Sequence, residues 1–186
     1  IEHSKDIMAG RGIAIDKIGL VGHSLGALTV TLAAIRGNLN SCVAIAPPSD
    51  ITALAEKSLG LDLQKHWSKV SGYNNFSDPN FVQNITLIGQ TPPKNYLMIA
   101  GKGDELIDPM WVEQLLYEYT NNENAQSFTQ YGMFQNNTAV EYKIFDVSSH
   151  GSEQFAHEEP EIANAAIEWT EKALNISNSK PVDVLE

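Results

Sequence analysis

The sequence predicts an α/β fold, a mostly parallel sheet flanked by helices. Three observations carry that prediction. Short apolar runs, read as buried strands, occur at 17–22 (KIGLVG), 41–46 (SCVAIA), 95–100 (NYLMIA) and 140–146 (VEYKIFD). Helix-periodic segments alternate with them, as βαβ units require. At 186 residues, with 42% hydrophobic and 19% charged residues, the chain is one ordinary globular domain spanning 1–186. A domain of that length buries its core without a metal or disulfide staple.

The elements follow in order. Residues 1–12 (IEHSKDIMAGRG) read as the end of a helix closed by Gly10 and Gly12. The strand at 17–22 is bounded by glycine. Leu25, Leu28, Leu32 and Ile35 then recur at helical spacing across 24–36, and Gly37 and Asn38 end that helix. Pro47 and Pro48 stop the strand at 41–46. The long connection 47–94 opens on a helical pattern (ITALAEKSLGLDLQKHWSKV) and continues as a loop rich in Asn, Pro and Ser. Long connections in compact domains are usually functional, so residues 49–94 are expected to form a small cap. Its Trp67, Tyr73, Phe76 and Phe81 either line an acyl pocket or pack the segment onto the core. The polar stretch 120–138 reads as a solvated loop. Residues 159–174 form a last amphipathic helix: Pro160 suits its first turn, and Ile162, Ala166, Trp169 and Ala173 share a face. The polar tail 175–186 is expected to fray.

Composition excludes several functions. Twelve basic against 23 acidic residues give a formal net charge of −11, which disfavours nucleic acid and anionic membranes as partners. No apolar run approaches the ~18 residues of a membrane span. The one cysteine, Cys42, excludes an internal disulfide and a multi-cysteine zinc site. It lies in an apolar strand and reads as a buried core residue, compatible with the cytoplasm, the favoured compartment. The N-x-S/T matches at Asn75, Asn84, Asn136 and Asn175 are too common a pattern to mark glycosylation. The chain starts at Ile1 with no signal-peptide pattern, so it is expected to be processed or a piece of something longer.

The chemistry concentrates at three places. Gly22-His23-Ser24-Leu25-Gly26 is a G-x-S-x-G between a buried strand and an amphipathic helix. In that context a sharp turn forces the serine into a strained backbone conformation and exposes its hydroxyl at the positive end of the following helix. Small residues at both ends let neighbouring backbone pass close. The plainer reading makes Ser24 a helix N-cap between turn glycines. A serine nucleophile needs a base, and the base needs an orienting acid. Both belong at the C-terminal ends of later strands. Asp104 follows the third strand in Gly101-Lys102-Gly103-Asp104-Glu105, and His150 follows the fourth in Val147-Ser148-Ser149-His150-Gly151-Ser152.

Each assignment has rivals. Asp108, before Pro109, reads more simply as a turn residue; Asp146 ends the fourth strand; Glu105 reads as a surface charge. His157 precedes acidic residues at a helix start and reads as solvated or as part of a cap. His23 adjoins Ser24, but its side chain should point away from it. His66 reads as a helix-surface residue, and His3 is near the terminus. No H-E-x-x-H or comparable ligand spacing surrounds His150, so no metal is expected.

With these pieces the chain resembles the α/β-hydrolase superfamily, from residue 1 to about 174. VGHSLGA is similar to the family's nucleophile elbow, GKGDELIDP to its acid turn and SSHGS to its histidine loop, in the family's order. The resemblance implies Ser24 as nucleophile, His150 as general base and then acid, Asp104 as the group holding the imidazole, and the Leu25 N–H as one oxyanion donor. It implies no cofactor. A serine nucleophile makes the chain most similar to esterase, lipase and dienelactone-hydrolase-like members, with a small-molecule carboxylic ester as substrate. Thioesters or peptides suit the same machinery.

Members of that family begin with several strands before the elbow, and a loop there gives the second oxyanion donor. The chain therefore resembles the C-terminal half of such a hydrolase. Strands in sequential order would leave 17–21 as an apolar edge without charges or prolines. A second copy in a homodimer, or an N-terminal segment outside this chain, is expected to cover it. A catalytically incomplete half-hydrolase serving binding or assembly is the alternative from outside enzymology.

Overall fold

Each of the four runs becomes a strand in a computed structural model of the chain, which describes residues 2–56, 62, 65, 78–121, 139–147, 149–150 and 160–175. They are β1 (Gly19–His23), β2 (Ser41–Ile45), β3 (Asn95–Gly101) and β4 (Ala139–Phe145). The strands are parallel and stand in the order β1-β2-β3-β4. The register sets Leu20 opposite Cys42, Cys42 opposite Tyr96, and Tyr96 opposite Val140. Parallel neighbours require crossovers, and helices supply them.

The helices are α1 (Glu2–Gly10), α2 (Leu25–Gly37), α3 (Ile51–Glu56), α4 (Pro79–Gln90), α5 (Pro109–Asn121) and α6 (Pro160–Ala173). Asn38 closes α2 in the left-handed conformation, its N–H reaching the carbonyls of Ala34 and Ile35. Lys17 Nζ donates to the Leu174 carbonyl just past α6 at 2.6 Å, a cation at the negative end of the helix.

Two helices add to the sequence-based reading. Residues 79–90, read as loop, are helical; Pro79 sits at the first position, where a missing N–H costs nothing. Residues 109–121 repeat the device with Pro109, and Trp111, Val112, Leu115, Leu116 and Tyr119 form a buried face at helical spacing. Beyond Glu56 the expected helix is described only at Asp62 and Lys65, both helical, while the stretch 122–138, His66, Trp67, Tyr73, Phe76, the Phe81 side chain and the tail from 176 lie outside the described residues. The cap expected at 49–94 is described mainly in α3, α4 and the segments flanking them.

Burial follows the topology. Every residue of β2 is buried, as expected of a central parallel strand. Gly19 and Val21 face α6, while Gly22 faces α2, so the two helices lie on opposite faces of the sheet. The two edges differ. β4 carries an ion pair between Glu141 and Lys143 at 3.5 Å, a charged edge of the kind that resists further pairing. β1 carries no charged residue, and Val21 is 52% exposed. Beside it a groove of about 430 Å³ runs between Val21, Ile45, Ala166 and Ile167.

Candidate active site

The turn between β1 and α2 is tight. Ser24 alone separates β1 from α2, with φ 56° and ψ −127°, a left-handed conformation that a residue with a Cβ adopts only under constraint. Two hydrogen bonds supply constraint: Ser24 N–H donates to Ile45 C=O at 2.9 Å, and Ser24 C=O accepts from Ala27 N–H at 2.8 Å. Gly22 is required by space, since a Cβ there would lie 2.4 Å from the Gly26 carbonyl oxygen. Gly26 is not, because no described atom lies within 4 Å of where its Cβ would stand. That corrects the expectation that both glycines permit a close approach. Leu25 contributes the first N–H of α2, at a helix end where N–H groups have no intrahelical acceptor.

The acid turn follows β3. Asp104 is 7% exposed, and its Oδ1 accepts from the N–H groups of Leu106 (2.9 Å) and Ile107 (2.8 Å). Two backbone donors fix the carboxylate plane and leave Oδ2 free to reach His150 Nδ1 at 2.7 Å. His150 Nε2 in turn lies 2.8 Å from Ser24 Oγ. The proton positions follow from the partners. An ionised carboxylate only accepts, so Nδ1 carries the proton, and Nε2 is left to accept from the Ser24 hydroxyl. The three residues singled out in sequence are thus joined in one run of hydrogen bonds across β1, β3 and β4.

The rivals take other work. Asp108 Oδ1 accepts from Met110 N–H at 2.9 Å, the N-cap of α5. Asp146 faces solvent and pairs with Lys102 Nζ at 3.2 Å. His157 and His66 lie outside the described residues, as does the His3 side chain. Cys42 is no rival nucleophile: burial pushes its thiol up to about 12. Among the described residues no group of three or more His, Cys, Asp and Glu stands together as a metal site, and no helix is long and apolar enough to cross a membrane.

Two contacts of His150 escaped the sequence reading. Glu105, read as a surface charge, accepts the His150 backbone N–H on its Oε2 at 2.9 Å. His23, expected to point away from Ser24, sets its ring 4.9 Å from the His150 ring at a tilt of 32°, a contact the sequence does not show. Burial, and then the neighbouring His150, push the His23 pKa down to about 4, against a smaller opposing pull from Asp104. A histidine beside the Ser24 motif could be read from sequence; the direction of its ring could not.

His23 makes a prediction about acid stability. Its folded pKa of about 4 lies below the ordinary 6.5, so between those values the unfolded chain binds the proton more readily. The stabilisation this represents is complete above about pH 6.5 and is lost as pH falls toward about 4. The Tm should therefore fall across that window, and His23→Gln should make the fall shallower. Melts of both proteins at several pH values check it; parallel curves would refute the assignment.

No protein-family model matches the sequence, and no curated protein matches it. Solved structures do. Prolyl oligopeptidase B from Galerina marginata, bound to a 25mer macrocyclization substrate, is similar at 19% identity and a TM-score of 0.63, over 95% of this chain and 24% of that one. An α/β serine hydrolase without a lid from Xanthomonas campestris matches at 18% identity and a TM-score of 0.53, over 95% and 56%. A monoacylglycerol lipase from Paleococcus ferrophilus matches at 18% identity and a TM-score of 0.51, over 92% and 74%. These likenesses identify the architecture as the α/β-hydrolase fold. The chain spans about a quarter of the oligopeptidase and just over half of the lidless hydrolase.

Proposed function

We propose that the chain is the catalytic half of a serine hydrolase that cleaves carboxylic esters. The observation that carries this reading is the unbroken run from Ser24 Oγ through His150 to Asp104, at 2.8 and 2.7 Å, beginning at a strained strand-to-helix turn. Ser24 Oγ attacks the ester carbonyl while His150 Nε2 takes its proton. The carbonyl electron pair moves onto oxygen, and the oxyanion rests on the Leu25 N–H and a second donor. His150 then protonates the leaving alcohol as the C–O bond breaks. Water, deprotonated by the same nitrogen, releases the acid and restores Ser24. Asp104 holds the imidazole and stabilises its charge without itself taking the proton.

A second donor belongs to whatever covers the outer edge of β1, a second copy of the chain or an N-terminal segment. Peptide cleavage is the second reading, favoured by the likeness to an oligopeptidase. The deciding experiment is labelling with a fluorophosphonate, which reacts with activated serines. One adduct on Ser24, absent from Ser24→Ala, is expected. An ester and a peptide amide in competition then separate the two substrate classes, and sedimentation of the labelled protein shows whether a second copy is present. Folded protein that takes no adduct would refute the reading for this chain alone and return the binding-module alternative.

A further inference from the structure

We propose that Glu105 is a positioning residue, anchoring the backbone of His150 so that its ring reaches Ser24. The inference rests on the serine-hydrolase reading. A histidine ring held only through its own nitrogens still moves with its backbone, and His150 stands on the segment that leaves β4 after Phe145. That segment is tied at its root. Lys102 N–H donates to Phe145 C=O at 2.9 Å, and Lys102 Nζ meets Asp146 Oδ1 at 3.2 Å. At its tip, Asp104 holds the ring through Nδ1 and Glu105 accepts the backbone N–H at 2.9 Å. Two adjacent acidic residues of one turn thus grip one histidine at two different points. The turn is itself rigid, because Leu106 and Ile107 N–H both bind Asp104 Oδ1. An anchor on a rigid turn fixes the Cα of His150, and with it the 2.8 Å reach of Nε2 to Ser24 Oγ.

A carboxylate suits the task because it only accepts, and hydrogen bonds to an ionised acceptor are stronger than neutral ones. Catalytic distances of this kind are sensitive: small misplacement of a base costs rate without costing substrate affinity. Glu105 meets His150 at its backbone N–H, not at the ring nitrogens that face Asp104 and Ser24, so it acts on the base through its position.

The test compares Glu105→Ala with Glu105→Gln, which keeps an acceptor oxygen at the same reach. Fluorophosphonate labelling and kcat for an activated ester should fall about tenfold in the alanine variant, the loss of one charge-assisted hydrogen bond at the base. KM and Tm should stay at wild-type values, and the glutamine variant should recover most of the rate. Amide exchange at His150, followed by NMR, should be slow in the wild type and in Glu105→Gln and fast in Glu105→Ala. Wild-type labelling by Glu105→Ala, equal losses in both variants, or exchange at His150 indifferent to residue 105 would each overturn the inference. Wild-type protein that takes no label would refute the hydrolase reading, and the exchange measurement would still uphold or overturn the anchor.

Discussion

Asp104→Asn is expected to lower kcat for an activated ester by about 10⁴ while leaving the melting temperature close to that of the wild type. Donors and acceptors around residue 104 decide the outcome. Oδ1 of Asp104, itself almost fully buried, accepts two backbone N–H groups, from the buried Leu106 and Ile107. An asparagine there must keep its carbonyl oxygen at that position, because an amide NH₂ facing two N–H donors would leave all of them unsatisfied. The NH₂ is then forced onto His150 Nδ1, 2.7 Å away in the wild type. Nδ1 must accept, so the ring proton moves to Nε2. There it faces Ser24 Oγ as a donor, when the chemistry needs an acceptor. The base is held in the right place in the wrong tautomer, and loses an anionic partner for the charge it would gain. A factor of 10⁴ corresponds to about 5 kcal/mol of transition-state stabilisation. Asp104→Ala offers the contrast: it deprives Leu106 and Ile107 N–H of their acceptor and should lower the melting temperature as well. Steady-state kinetics and calorimetry on the two variants decide the matter. An asparagine variant within tenfold of wild type would show that His150 does not depend on Asp104 for its tautomer.

Sequence sufficed where a feature is set by its neighbours along the chain. Strand positions, parallel topology and the triplet Ser24, Asp104 and His150 were legible because each depends on local pattern: an apolar run, a glycine-flanked turn, a small-residue loop past a strand end. α4 and α5 were not read, although Pro79 and Pro109 mark their starts, because loop-forming Asn and Pro residues surround α4, and α5 follows directly on a turn whose acidic residues read as turn chemistry. The contacts that Glu105, exposed as expected, and His23 make with His150 were illegible for a different reason. Both owe their place to a partner far along the chain, Glu105 meeting a backbone N–H 45 residues away. No local periodicity reports such a meeting; it exists only once β3 and β4 lie side by side.

Gly22→Ala is expected to destabilise the chain by about 3 kcal/mol, the upper range for forcing extra volume into a packed site, and to abolish fluorophosphonate labelling. The new Cβ would stand 2.4 Å from the Gly26 carbonyl oxygen, 2.7 Å from its carbon and 2.8 Å from Val30 Cγ2. Two of these three atoms are backbone, so no rotamer change relieves the clash; the first turn of α2 must retreat from β1. Ser24 sits at that junction in a conformation which depends on its bonds to Ile45 and Ala27, and a retreating helix pulls on both. Gly26→Ala is the matched control. Its Cβ meets no described atom within 4 Å, and alanine is the better helix former, so this variant should be as stable as wild type or slightly more so. Urea melts of the pair make the comparison, with the midpoint expected to fall in the first variant only. Equal midpoints would mean that α2 yields to a methyl group at no cost. The strain at Ser24 would then have to be held by its hydrogen bonds alone. The two glycines of the motif look equivalent in sequence; only one of them stands where two backbones nearly touch.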